Sequence, residues 1–179
     1  MQIDRNFQLK RFDQVDHGCL LVGTIARKHV VRGMKAFRTL GDGKQLDFFV
    51  TLGPFSPDER GFPHVYEPVA LRNCPVLDIS DYCRLSPSLA VVDLLPELPS
   101  TRDSPGIMFL LEDRALLGVK WLNGDSSWLS VLLNLDTGEL VDRIEHDRVF
   151  ATRRWSLVGT DRNGETVTLF DFTTEVKGT

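Results

Sequence analysis

The chain has 179 residues, of which 42% are hydrophobic and 26% charged, the balance of a soluble globular protein rather than a disordered or collagen-like one. At this length a core forms without disulfide or metal staples, and one β-rich domain spanning 1–179 is expected. The formal net charge of −4 argues against a dedicated nucleic-acid binder, whose domain is usually strongly basic.

Three cysteines, Cys19, Cys74 and Cys83, lack CxxC spacing and read as reduced thiols of a cytosolic protein. Their spacing does not decide whether Cys74 and Cys83 pair. The first residues show no basic leader before an apolar run, and no stretch approaches the roughly 18 apolar residues that span a bilayer. The expectation is a cytoplasmic chain with no membrane partner.

Asp4 to Asp16 reads as a short helix or an irregular arm, and Gly18–Ile25 as a buried strand between turn formers. Residues 27–52 admit two readings. Val30, Met34 and Phe37 suit one face of a basic helix, but Gly33 weakens it, and Gly41-Asp-Gly-Lys44 is a hairpin turn followed by alternating Leu46, Phe48, Val50 and Leu52. The hairpin is preferred, with its first strand near 34–40. Gly53–Pro63 is a proline-rich loop, and His64–Leu71 a short strand that Pro68 confines to an edge or ends.

The middle of the chain, 53–106, is loop-rich. Within it, Ser86 as N-cap and Pro87 at the first helical position predict one short helix near 87–95, stopped by Pro96. From 107 to 172 the pattern is a β meander. Segments 107–111, 115–122, 128–135, 139–144, 148–151, 154–160 and 165–172 are strands, with turns such as Asp136-Thr-Gly138 and Asp161-Arg-Asn-Gly164 between them. The fold class is therefore mainly β: an antiparallel meander forming a curled sheet, a sandwich or a partly open barrel.

Leu133-Asn-Leu-Asp-Thr-Gly-Glu-Leu-Val141 together with Trp155–Phe172 resembles one blade of a β-propeller of the quinoprotein or WD type. The resemblance covers about a quarter of the chain. A closed propeller needs several such blades of roughly 40 residues, which 53–106 does not supply, so no family is assigned and no functional residue is carried over.

Two groupings have acid–base character. His17 and Cys19 share a face if that segment is a strand, as a thiolate–imidazolium pair requires. His64, Tyr66 and Glu67 cluster beside the 53–63 loop. For the first the plainer reading is a loop histidine beside a buried cysteine, for the second polar residues of an edge strand. Arg143, Glu145, His146 and Asp147 read as a solvated turn. The four histidines lack HExxH or HxH spacing, and Cys74 with Cys83 lies outside zinc-ribbon spacing; neither a metal nor a cofactor is expected. The phosphate-loop frame and the GxSxG elbow are both missing.

Charge is segregated. From Arg27 to Lys44 there are six Lys/Arg (Arg27, Lys28, Arg32, Lys35, Arg38, Lys44) against one acid, Asp42, and Arg153-Arg154-Trp155 adds a second basic spot beside an aromatic. The plain reading is a solvated strand face whose charges protect an edge. The functional one is a partner-binding patch of Arg27, Lys28, Arg32, Lys35, Arg38, Arg153, Arg154 and Trp155, since Arg and Trp are enriched at interfaces.

The function expected from the sequence is a non-enzymatic binding module that recognises an acidic protein surface, as an inhibitor, immunity-type or adaptor protein does. One alternative is a small-ligand-binding or hydrolytic β-barrel enzyme using the 53–67 region. Another is nucleic-acid binding through the 27–44 segment, which predicts steep salt dependence.

Overall fold

In a computed structural model the described residues are 9–25, 29–53, 62–67, 75–89, 92–95, 105–122, 128–143, 149–161 and 163–173. Strands follow one another through them: β1 (Leu9–Arg11), a 3-10 turn (Phe12–Gln14), β2 (Leu20–Ile25), β3 (His29–Thr39), β4 (Gln45–Thr51) and β5 (His64–Tyr66). Then come β6 (Pro75–Asp78), β7 (Cys83–Pro87), β8 (Val92–Leu95), β9 (Met108–Leu110) and β10 (Ala115–Leu122). The series ends with β11 (Trp128–Asn134), β12 (Leu140–Val141), β13 (Val149–Thr152), β14 (Arg154–Thr160) and β15 (Thr166–Thr173).

These strands form two sheets. The larger runs β1-β6-β2-β3-β4-β5-β10-β9-β13-β8, with β11 on the other side of β10 and β12 beyond it. Its described strand pairs are antiparallel except β5–β10, where His64 and Val65 lie beside Lys120 and Trp121. The sheet curls until the turn before β12 meets β3 through a single bridge, Phe37 to Glu139, but it does not close into a barrel. The smaller sheet is β15-β14-β7. The mainly antiparallel β architecture expected from the sequence is the one adopted.

Strand alternation explains where the core sits, because neighbouring residues of a strand point to opposite faces. On the β3–β4 hairpin, Met34 pairs with Val50 and Ala36 with Phe48. All four enter the central cluster, which Trp155, Leu157 and Phe172 of the smaller sheet close from the other side. The opposite face of β3 and β4 presents Val31 and Phe49 to a second cluster, where Phe12 and Val15 of the N-terminal arm cover it. A third cluster, around Phe109, Leu116, Leu132 and Val149, lies on the back of β9–β11.

Glycine decides two close approaches. A Cβ on Gly33 would lie 2.3 Å from the Val50 carbonyl oxygen and 2.4 Å from the Phe49 ring, so the residue that weakened the helical reading is the one the hairpin needs. Gly138 (φ 77°) rests on Gly18, where a Cβ would come within 2.5 Å of its nitrogen. This lets the Gly138 carbonyl accept from the Phe37 N–H at 2.9 Å and dock the 136–139 turn onto β3.

The helix expected near 87–95 is not formed. Residues 90 and 91 lie outside the described set, but Ser86 and Pro87 belong to β7, and 92–95 form β8 paired with β13. Helix capping is a weak local preference that tertiary pairing overrides. Proline is tolerated at this position because, among the described residues, β14 is the one strand beside β7 and the missing N–H of Pro87 would point away from it. The first strand of the hairpin also begins at His29 rather than near residue 34. The propeller-blade resemblance is not borne out as architecture: β11 and β12 lie in the larger sheet and β14 and β15 in the smaller one, whereas a blade is a single sheet.

Candidate functional site

Of the residues expected to form one basic patch, the described ones differ in exposure and in partners. Arg27 and Lys28 lie outside the described residues. Lys35 is buried at 3% exposure: its face of β3 lies under the N-terminal arm, and its ammonium donates to the Val15 carbonyl at 2.8 Å and pairs with Asp47 at 3.2 Å. It also stands 5.2 Å from the Phe12 ring centroid. Trp155 is buried at 1%, stacks on Phe172 and donates its indole N–H to the Gly106 carbonyl at 3.0 Å. Both are core residues, so neither presents a contact surface to a partner.

Arg38 is half-buried. Its guanidinium grips both oxygens of Asp142 at 2.7 and 3.0 Å and lies 5.0 Å from the Trp121 ring centroid, so its charge is already answered. Arg153 is half-buried, while Arg154 is exposed on β14. Arg32 is exposed and makes none of the ion pairs among the described residues.

The acid–base groupings also resolve. His17 does not pair with Cys19; its Nε2 meets Asp47 Oδ1 at 2.8 Å and its ring lies on Phe37. Asp47 thus bridges His17 and Lys35, a knot joining the arm, β3 and β4. Cys19 packs against the second core cluster. His64 and Tyr66 do share a face, with ring centroids 6.1 Å apart, and His64 Nδ1 bonds the Phe62 carbonyl. Residues 54–61 and His146 lie outside the described set. Cys74 does too, while Cys83 is a free thiol, and burial pushes it above the ordinary thiol value against the opposing charge of Arg32.

Burial alone would raise the Asp47 carboxyl, but hydrogen bonds and charge from His17 and Lys35 outweigh it and hold the group below the usual carboxylate range. Asp78 behaves alike. Desolvation is overcome by hydrogen bonds from the Ser80 N–H and hydroxyl and from the Lys10 ammonium at 3.1 Å. A carboxyl depressed in the folded state stabilises the fold above its unfolded value, near 3.9, and loses that contribution as pH falls through the folded value. Stability to urea is therefore expected to fall below about pH 4, and an Asp47→Asn/Asp78→Asn double variant should show a shallower acid decline. Equal slopes for variant and parent would contradict the assignment.

Two concave features lie elsewhere among the described residues. A cleft of about 330 Å³ opens between β7 and the concave face of the larger sheet. Leu20, Met34, Met108, Leu110, Ala115 and Leu135 of the larger sheet and its turns line it, together with Cys83, Arg84, Leu85 and Pro87 of β7. A smaller, polar cleft of about 190 Å³ adjoins it, sharing Ser80, Cys83 and Arg84 and adding Thr160 and Thr166. Neither includes His17, His64 or Tyr66. Arg84 is exposed, borders both clefts and, like Arg32, makes none of the described ion pairs. Reading the sequence alone missed it because it is a lone cation in the irregular middle of the chain. Among the described residues no group of three or more His, Cys, Asp or Glu could hold a metal, and no helix is long and apolar enough to cross a membrane.

Compared with protein-family models, with curated proteins and with solved structures, the chain shows no match.

Proposed function

We propose that the chain is a non-enzymatic binding module, cytoplasmic in location, that recognises an acidic surface of another protein. One observation carries this reading: Arg84 borders an apolar cleft, Arg32 shares a face of β3 with Met34 of that cleft's lining, and neither arginine forms an ion pair among the described residues. Cations without an ion pair beside an apolar groove are elements that steer and orient an acidic partner. The free thiol of Cys83 accords with a reducing compartment. Less supports an enzyme built on 53–67, because His64 and Tyr66 line neither cleft. Nucleic-acid binding through 27–44 loses two of its cations to internal ion pairs, Lys35 and Arg38.

The test is affinity capture from source-cell lysate read by mass spectrometry, with nuclease-treated and raised-salt parallels. Arg32→Glu/Arg84→Glu is expected to lose about tenfold or more of a discrete, nuclease-resistant protein, while Lys44→Glu, in the distant hairpin turn, retains it. Equal capture by all three proteins would overturn the proposal. So would recovery of nucleic acid that raised salt removes.

A further inference from the structure

We infer that the edge of β7 facing away from β14 is a strand-addition site: it takes an extended segment of a partner protein, with apolar side chains at alternate positions and carboxylates at the end nearest Cys83. The inference rests on the binding-module reading and specifies how the partner is held.

The backbone of β7 has groups left over for such a strand. Among the described residues its one strand neighbour is β14. The Ser88 N–H donates to the Arg154 carbonyl, and the Thr160 N–H to the Tyr82 carbonyl, so even-numbered residues of this segment hydrogen-bond toward β14. Alternation turns the N–H and C=O of Leu85, and the carbonyls of Cys83 and Pro87, to the other side. The Cys83 N–H, which also points that way, is used by the Ile79 carbonyl at 2.9 Å; the other four groups make no backbone hydrogen bond among the described residues. An edge with unmade backbone bonds is a template for another strand.

The surroundings select the side chains. Cys83, Arg84, Leu85 and Pro87 all line the 330 Å³ cleft, whose lining consists of described residues. A strand laid along this edge would direct every second side chain onto Met108, Leu110, Ala115 and Leu135. The apolar floor continues outward, because Phe150 is paired with Leu110 across β13 and β9 and is 52% exposed. A cleft of this size suits two or so aliphatic side chains, at the lower end of the range for ligand sites.

Charge sets the polarity. Arg84 is the second residue of β7 and borders both clefts, while Arg32 lies on the face of β3 whose Met34 lines the larger cleft with Cys83. Among the described residues the carboxylates lining these clefts are Asp81, in the turn before β7, and Asp136, in the larger cleft. Neither makes an ion pair with these arginines. Partner carboxylates at the Cys83 end would therefore answer two open cations, whereas the Pro87 end offers apolar contact.

The experiment is selection of random ten-residue peptides displayed on phage against the full chain, followed by synthesis of the enriched sequences. Enriched peptides should alternate apolar residues and carry carboxylates toward one end. They should bind about tenfold more weakly to Arg84→Glu and to Leu110→Lys, variants checked for an unchanged circular dichroism spectrum and melting temperature, and equally well to Lys44→Glu. N-methylation of the peptide amide opposite Leu85 should abolish binding, methylation of its neighbour should not, and the Leu85 amide should gain protection from hydrogen exchange. Absence of enrichment overturns strand addition, as does binding indifferent to N-methylation. A dimer that Leu110→Lys dissociates would assign the edge to a second copy instead, and an apolar dye held in the cleft without peptide enrichment would assign it to a small molecule; either overturns the inference. If lysate capture depends on Arg32 and Arg84 while Leu85 stays unprotected, strand addition fails and the binding module stands. If capture ignores both arginines, the module itself fails.

Discussion

Trp155→Ala is expected to destabilise the chain by about 3–5 kcal/mol, a large share of the 5–15 kcal/mol typical of a domain. The indole is 1% exposed, is stacked on Phe172 at a centroid distance of 4.8 Å and lies 6.1 Å from Phe170. Removing it opens a cavity where the smaller sheet seals the central cluster and leaves the Gly106 carbonyl without its donor. Trp155→Phe should cost less, because a ring remains to stack and the chief loss is one hydrogen bond of about 1 kcal/mol. Urea denaturation checks both, read as a fall in midpoint at constant slope. A Trp155→Ala protein with parental stability and weakened partner capture would return this residue to the interface expected from its Arg-Arg-Trp setting.

The second large effect concerns the knot under the N-terminal arm. Asp47→Asn leaves the Lys35 ammonium, 4% exposed as a side chain, without its counter-charge. Breaking a fully buried pair costs about 3–5 kcal/mol; Asp47 is itself 36% exposed, so water recovers part of this and about 2 kcal/mol is expected. Lys35→Met should cost clearly less, because it removes the buried charge and sets an apolar chain beside Phe12. Asp47 then keeps His17 and solvent as partners. Denaturation of the two single variants and the double decides it. Lys35→Met proving the more damaging substitution would mean that the bond from Lys35 to the Val15 carbonyl, not the ion pair, anchors the arm.

The hairpin of β3 and β4 shows what local chemistry conveys. Its Asp-Gly turn and the alternation of Leu46, Phe48, Val50 and Leu52 lie within a few residues of one another, and the strands were readable from them. Lys35 shows the opposite. A cation among cations reads as a solvated face, and nothing nearby in the chain says that Phe12 and Val15 fold over it. Trp155 was partly legible: Arg154 and Ser156 alternate with Trp155 and Leu157, the pattern of a half-buried strand, and that alternation outweighs the basic pair before the tryptophan. Arg84 had no such signal. Its place by a cleft depends on β7 pairing with β14, a contact between segments far apart in the chain.

Residue order alone therefore determined the β class, most turns and most strands of the later meander, since period-two alternation and glycine turn chemistry act over a few neighbours. It also carried the proline and serine that suggested a helix at 87–95, a preference too weak to survive competition with strand pairing. Tertiary structure alone decided which strand face became interior and which cations among the described residues acquired carboxylates. Those outcomes depend on what distant segments bring against each strand. The same basic stretch could thus yield a buried Lys35, an Arg38 paired with Asp142 and an exposed Arg32 on one strand.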